Sequence, residues 1–141
     1  MIGTRHTTAF ISRRLQRPLA LATACYVVVL LAATHYPRPQ EILERFGGNA
    51  PTDKTMHVVA YGVLGLLAAA TLAAWGHWRL RNVFLVMVAL ALFGALDEAT
   101  QPFFDRLADP LDWVGDCAGI VGGVLAVAVW IAARGWSRPT E

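Results

Sequence analysis

Residues Leu19–Ala33 read LALATACYVVVLLAA, with no charge and no polar face. A soluble amphipathic helix shows a polar side every three or four residues. Val63–Trp75, VLGLLAAATLAAW, is equally unbroken. Outward from these two stretches the chain divides into four apolar segments. They run from about Pro18 to Tyr36, Met56 to Trp75, Val83 to Gln101 and Trp113 to Ala133. Each approaches the roughly 20 residues that cross about 30 Å of hydrocarbon at about 1.5 Å per residue. Backbone groups in lipid must be satisfied within their own segment, so the segments are expected to be helices. The expected fold is all-α: an integral membrane bundle of four transmembrane helices, forming a single domain over residues 1–141.

Composition agrees. Of 141 residues, 56% are hydrophobic and 16% charged, where a soluble domain carries about a quarter charged. The apolar content excludes disorder, and 12 glycines with 7 prolines exclude a coiled coil. A net charge of +2, with 12 basic residues in no stripe, gives no reason to expect a nucleic-acid partner. The first segment has one competing reading. Arg13, Arg14 and Arg17 before an apolar core, with Ala32-Ala33 at its exit, also suit a cleaved signal peptide.

Basic residues set the expected orientation. With four spans, Arg5, Arg13, Arg14, Arg17, Arg79, Arg81, Arg134 and Arg138 share one side, and Arg38, Arg45, Lys54 and Arg106 share the other. Eight against four makes both termini cytoplasmic, in a multi-pass protein of the cell (plasma) membrane. Trp75, Trp78 and Trp136 are then expected as inner interfacial anchors, and Tyr36 and Trp113 as outer ones. In the outer loop, Gln40–Phe46 suits one or two interfacial helical turns.

The acids are placed differently. Nine of the ten, all but Glu141, map to the outer loops or outer span ends. Asp53, His57 and Tyr61 are spaced i, i+4, i+8 and share one helix face, with Lys54 beside them. Asp97 and Gln101 are i, i+4 with Glu98 adjacent, and so are Asp112 and Asp116. An ionisable group at a span centre costs about 2.5–3.5 kcal/mol on insertion scales, tolerated where it faces a bundle interior with a partner. One outward polar pocket is therefore expected, with Arg106 or Lys54 paired to Asp97, Glu98 and Asp112. The acidic excess implies protonated or shared carboxyls.

A plainer account covers part of this set. Asp109-Pro110 suits an N-cap followed by proline at the first helical position, and Thr52-Asp53 suits a cap on the second span. It leaves Asp97 and Glu98, at a helix C-terminal end, unexplained. Gly115, Gly119 and Gly123 form a small-xxx-small ladder, widened by Gly122. It is expected to seat the fourth span at the bundle centre, or alternatively to form a homo-oligomer face. Cys25 and Cys117 form no CxxC and no metal-type spacing, and no H-E-x-x-H or G-x-S-x-G occurs. No metal or cofactor is expected on motif grounds.

Taken together, Asp53-Lys54-x-x-His57-x-x-x-Tyr61, Asp97-Glu98-x-x-Gln101-x-Phe103, Arg106, Asp112 and Gly119-x-x-x-Gly123 resemble the VanZ-like family of small bacterial membrane proteins. The resemblance covers about Asp53 to Gly123. It implies a multi-span helical membrane protein, and the family's namesake is linked to reduced susceptibility to teicoplanin-type antibiotics. This chain has Phe104-Asp105 where the family usually has Pro-Gly, Asp109 where a small hydroxyl residue is usual, and Asp116 where Asn is common.

Four functions compete. The pocket binds an envelope lipid or glycolipid head group, with membrane lipids as its partners and Arg106 and Lys54 meeting an anion. Or it is a hydrolase or transferase for a lipid-linked substrate, with His57, Glu98 and Asp112 as acid–base groups. A proton path is disfavoured by the charge-free inner half-spans. A purely structural cluster would need fewer ionisable groups.

Overall fold

The computed structural model describes residues 13–37 and 52–136. Among them, regular structure is helical only. A 3-10 turn at Arg13–Leu15 leads into α1 (Gln16–Thr34), followed by α2 (Asp53–Ala74) and α3 (Leu80–Thr100). A second 3-10 turn at Gln101–Phe104 precedes α4 (Pro110–Trp136). The described residues thus include four helices long and apolar enough to cross a membrane.

Helices α2, α3 and α4 each begin three residues before the apolar stretch that announced them. Hydropathy marks what lipid covers, whereas capping chemistry marks where a helix starts. Thr52 Oγ1 accepts the Thr55 N–H at 3.3 Å, and Asp53 stands in the first turn, where the macrodipole favours an acid. Asp109 Oδ1 accepts the Leu111 N–H at 2.9 Å, with Pro110 at the first helical position, as its sequence suggested. Helix α1 stops two residues short of Tyr36, with the His35 N–H on the Leu31 carbonyl. Gly76, at φ 72°, turns the chain out of α2 in the left-handed conformation that glycine adopts at least cost.

Helices α2 and α4 form the most extensive contact in the bundle. A Cβ built on Gly119 would collide with the Val58 carbonyl oxygen and lie 2.7 Å from the Gly62 nitrogen. One built on Gly123 would collide with the Gly62 carbonyl oxygen. Only glycine permits this backbone approach. The ladder is therefore spent on the chain's own α2 rather than on a second copy. Gly122 does not widen it, because that position faces open space. Helix α1 joins through three polar contacts along α2. Tyr26 OH donates to the Ala60 carbonyl at 2.9 Å, Thr23 and Thr71 share a 3.0 Å hydroxyl bond, and Gln16 Nε2 donates to the Ala74 carbonyl at 3.0 Å.

The surface has the opposite sense to that of a soluble bundle. Val28 is 67% exposed, Leu96 66% and Val129 68%, and many other large apolar residues are also outward. Asp97, Glu98, Gln101, Asp112 and Asp116 are buried. An apolar exterior around buried carboxyl groups has a low free energy only where the surrounding medium is apolar too. Away from this polar end the interior is hydrocarbon: Leu64, Ala69, Ala73, Ile120, Val124, Val127 and Ile131.

Candidate functional site

The i, i+4, i+8 stripe of α2 meets both α3 and α4. His57 Nδ1 lies 2.8 Å from Asp116 Oδ1 and 3.6 Å from Glu98 Oε1. One turn deeper, Tyr61 stacks on the His57 ring at a centroid distance of 6.4 Å, and its hydroxyl donates to Asp97 Oδ2 at 2.9 Å. Asp116 is fully buried, and its Oδ2 is the one buried side-chain polar atom without a hydrogen-bond partner among the described residues. It lies against Gly94, where a Cβ would come within 3.1 Å of it.

Asp97 and Glu98 end α3, where the helix dipole opposes a negative charge, and tertiary donors hold them there. Thr34 donates to Asp97 Oδ1 at 2.8 Å, with His35 Nδ1 3.4 Å away. Gln101 Nε2 donates to Glu98 Oε1 at 2.7 Å, and the Asp109 backbone N–H to Glu98 Oε2 at 3.2 Å. That last bond ties the start of α4 to the end of α3.

The two basic residues pair differently from expectation. Lys54 Nζ donates to Asp112 Oδ1 at 3.1 Å, as anticipated, and also to Asp109 Oδ2 at 2.6 Å. Arg106 does not reach Asp97, Glu98 or Asp112. Its Nη2 donates to both oxygens of Asp53, at 2.8 and 3.1 Å. The reason is position. Asp53 opens α2 at the mouth, level with the loop that carries Arg106, while Asp97 and Glu98 are covered by α1 and α4. The Lys54 ammonium and the Leu111 N–H together hold the Asp109 carboxyl below the usual carboxylate range.

All ten residues marked in the sequence as lining one pocket lie in this connected cluster: Asp53, Lys54, His57, Tyr61, Asp97, Glu98, Gln101, Arg106, Asp112 and Asp116. Sequence reading missed Thr34 and His35. Helix α1 had no acid to draw attention, and the available signal was a Thr-His pair closing an otherwise apolar span. Beside the cluster, between α1 and α2, a cavity of about 90 Å³ is lined by Leu30, Ala33, Met56 and Ala60, with Thr34, Asp53, His57 and Arg106 at its polar edge.

Two sets of three ligand-type residues gather at His57: Asp53, His57 and Asp112, and His57, Glu98 and Asp116. Motif spacing gave no hint of either, because each set draws on two or three helices. Two of the expected interfacial aromatics also make contacts between helices or with the core. Trp113 gives its indole N–H to the Ala91 carbonyl at 2.9 Å, and so braces α4 against α3. Trp78 packs against the apolar core. The turns expected at Gln40–Phe46 and the Trp136 side chain lie outside the described residues. Asp105 adopts φ 55°, the left-handed region.

No family model, curated protein or solved structure matches this chain.

Proposed function

We propose that this chain binds the anionic head group of an envelope lipid or glycolipid at the polar end of its bundle. The observation that carries the reading is the cavity between α1 and α2. Its apolar wall of Leu30, Ala33, Met56 and Ala60 suits the start of an acyl chain, and Arg106, His57 and Thr34 stand at its polar edge. An amphiphile needs both surfaces at one depth in the membrane. Arg106 is held against Asp53 rather than neutralised by a deeply buried acid, and a phosphate or carboxylate can compete for a guanidinium so placed. The basic-residue bias supports cytoplasmic termini, which put the pocket on the outer face of the plasma membrane.

The resemblance to the VanZ-like family supports a link to reduced susceptibility to teicoplanin-type antibiotics. The left-handed Asp105 suits that resemblance, because it stands where the family pattern carries glycine, the residue that favours positive φ. The test is mass spectrometry of lipid copurified with the wild type and with Arg106→Ala. Loss of one charge-assisted hydrogen bond, about 1.5–3 kcal/mol, predicts roughly tenfold or greater depletion of the bound lipid. Equal lipid in both preparations refutes the reading.

A second reading, a membrane-embedded hydrolase or transferase, is favoured by the buried His57–Asp116 pair. Here the acid–base set becomes His57, Asp116 and Glu98, because Asp112 is occupied by Lys54. Release of phosphate or sugar from a lipid-linked substrate, lost in His57→Gln, is its signature. No turnover by the wild type removes it.

A further inference from the structure

We propose that His57, Glu98 and Asp116 form a binding site for one divalent transition-metal cation. The inference stands apart from head-group binding and needs no lipid in the cavity. The three residues come from α2, α3 and α4, all are buried, and their ligand atoms lie within 4.8 Å of one another. Zinc bonds of about 2.0–2.2 Å in a tetrahedral site put ligand atoms roughly 3.4 Å apart. His57 Nδ1 and Glu98 Oε1 are 3.6 Å apart, while Nδ1 and Asp116 Oδ1 at 2.8 Å must open by roughly half an ångström to admit the ion.

Two observations beyond clustering point to a cation. The first is Asp116, fully buried, whose Oδ2 has no hydrogen-bond partner among the described residues and is matched if the carboxylate binds the ion through both oxygens. Buried carboxyl oxygens are costly to leave unmatched. The second is charge. Among the described residues the cluster holds six carboxyl groups, on Asp53, Asp97, Glu98, Asp109, Asp112 and Asp116, against two permanent cations, Lys54 and Arg106. A ligating His57 is neutral, so these groups keep an excess of negative charge that a divalent ion reduces.

The alternative set of Asp53, His57 and Asp112 is the weaker candidate. Arg106 already occupies Asp53, and Lys54 already occupies Asp112. The chosen set has outer support as well. The Asp109 N–H fixes Glu98 through Oε2, leaving Oε1 shared between Gln101 and the ion. Such outer partners orient metal-binding carboxylates. One imidazole with two carboxylates suits zinc or manganese better than calcium, and zinc binds the tighter of the first two.

The full chain, purified in detergent, stripped with chelator and titrated with zinc chloride by calorimetry, is expected to bind one equivalent. Glu98→Gln and Asp116→Asn each remove a direct ligand, so each is expected to weaken binding by more than the roughly 10–100-fold that loss of an outer partner costs. Asp112→Asn removes a neighbouring charge but no ligand and should weaken binding less than either. Far-UV circular dichroism confirms that the variants are folded. If they are not, cobalt added to the wild type alone serves as the readout, since coordination by nitrogen and oxygen in a distorted tetrahedron gives intense visible bands. Absence of both zinc uptake and those bands overturns the proposal. So do unchanged zinc affinity in Glu98→Gln and Asp116→Asn, or equal loss in Asp112→Asn, which would move the ion to the other set.

Discussion

Tyr61 donates its hydroxyl proton to Asp97 across the α2–α3 interface at 2.9 Å, both side chains buried and 36 residues apart in sequence. Because Asp97 Oδ1 takes Thr34, the phenol is the hydrogen-bond donor to Oδ2. Polar bonds between membrane helices average only about 0.6 kcal/mol, because their partners find substitutes when separated. Here removing the donor strands a buried carboxyl oxygen. Tyr61→Phe is therefore expected to cost about 1–3 kcal/mol, read as a lower midpoint of unfolding in mixed micelles. A cost within error of zero would show that the pair contributes no stability.

Gly119 and Gly122 offer a paired test of helix packing. Gly119→Ala forces backbone apart at Val58 and Gly62 and should cost about 1–3 kcal/mol or more, the range for overpacking. Gly122→Ala meets no atom within 4 Å and should stay within about 0.5 kcal/mol of the wild type, as surface changes do. Equal effects at the two positions would contradict the α2–α4 contact described here.

The Lys54–Asp109 pair predicts the direction of an acid response. Its aspartate titrates below the usual carboxylate range when folded, so the unfolded chain takes up the proton first as pH falls. The stabilisation is fully present above the unfolded value and is lost as pH drops through the carboxylate range. Asp109→Asn keeps an oxygen for the Leu111 N–H but carries no charge. Plotted against pH, the difference in melting temperature between the two proteins should shrink on acidification.

Asp105 sits at φ 55°, a conformation that aspartate tolerates and β-branched residues resist. Asp105→Val should destabilise the 3-10 exit of α3 by about 1–2 kcal/mol, the cost of left-handed geometry for a residue with a Cβ. Asp105→Gly should be neutral or slightly stabilising in the same thermal assay. Its chief use is as a control, since both variants remove the charge.

Much of the fold was legible because a transmembrane helix is a local object. The apolar runs around Leu19–Ala33 and Val63–Trp75 state their own environment, and the backbone must satisfy itself within each. Helix starts were placed three residues late because Thr52 and Asp109 act through single hydrogen bonds, which hydropathy does not register. The site was half legible. Spacing alone put Asp53, His57 and Tyr61 on one face, yet α1 carried no acid, and so Thr34 and His35 passed unnoticed.

The sequence by itself determined that the chain folds as four apolar helices with its acids gathered toward one end, since length, hydropathy and helical period are properties of each segment alone. Only the tertiary structure decided the partners: Arg106 with Asp53, Lys54 with Asp109 and Asp112, Thr34 and Tyr61 with Asp97, and His57 between Glu98 and Asp116. The physical reason is that a charge pair depends on the rotation and depth of two different helices. Here those are set by how closely Gly119 and Gly123 let α4 approach α2.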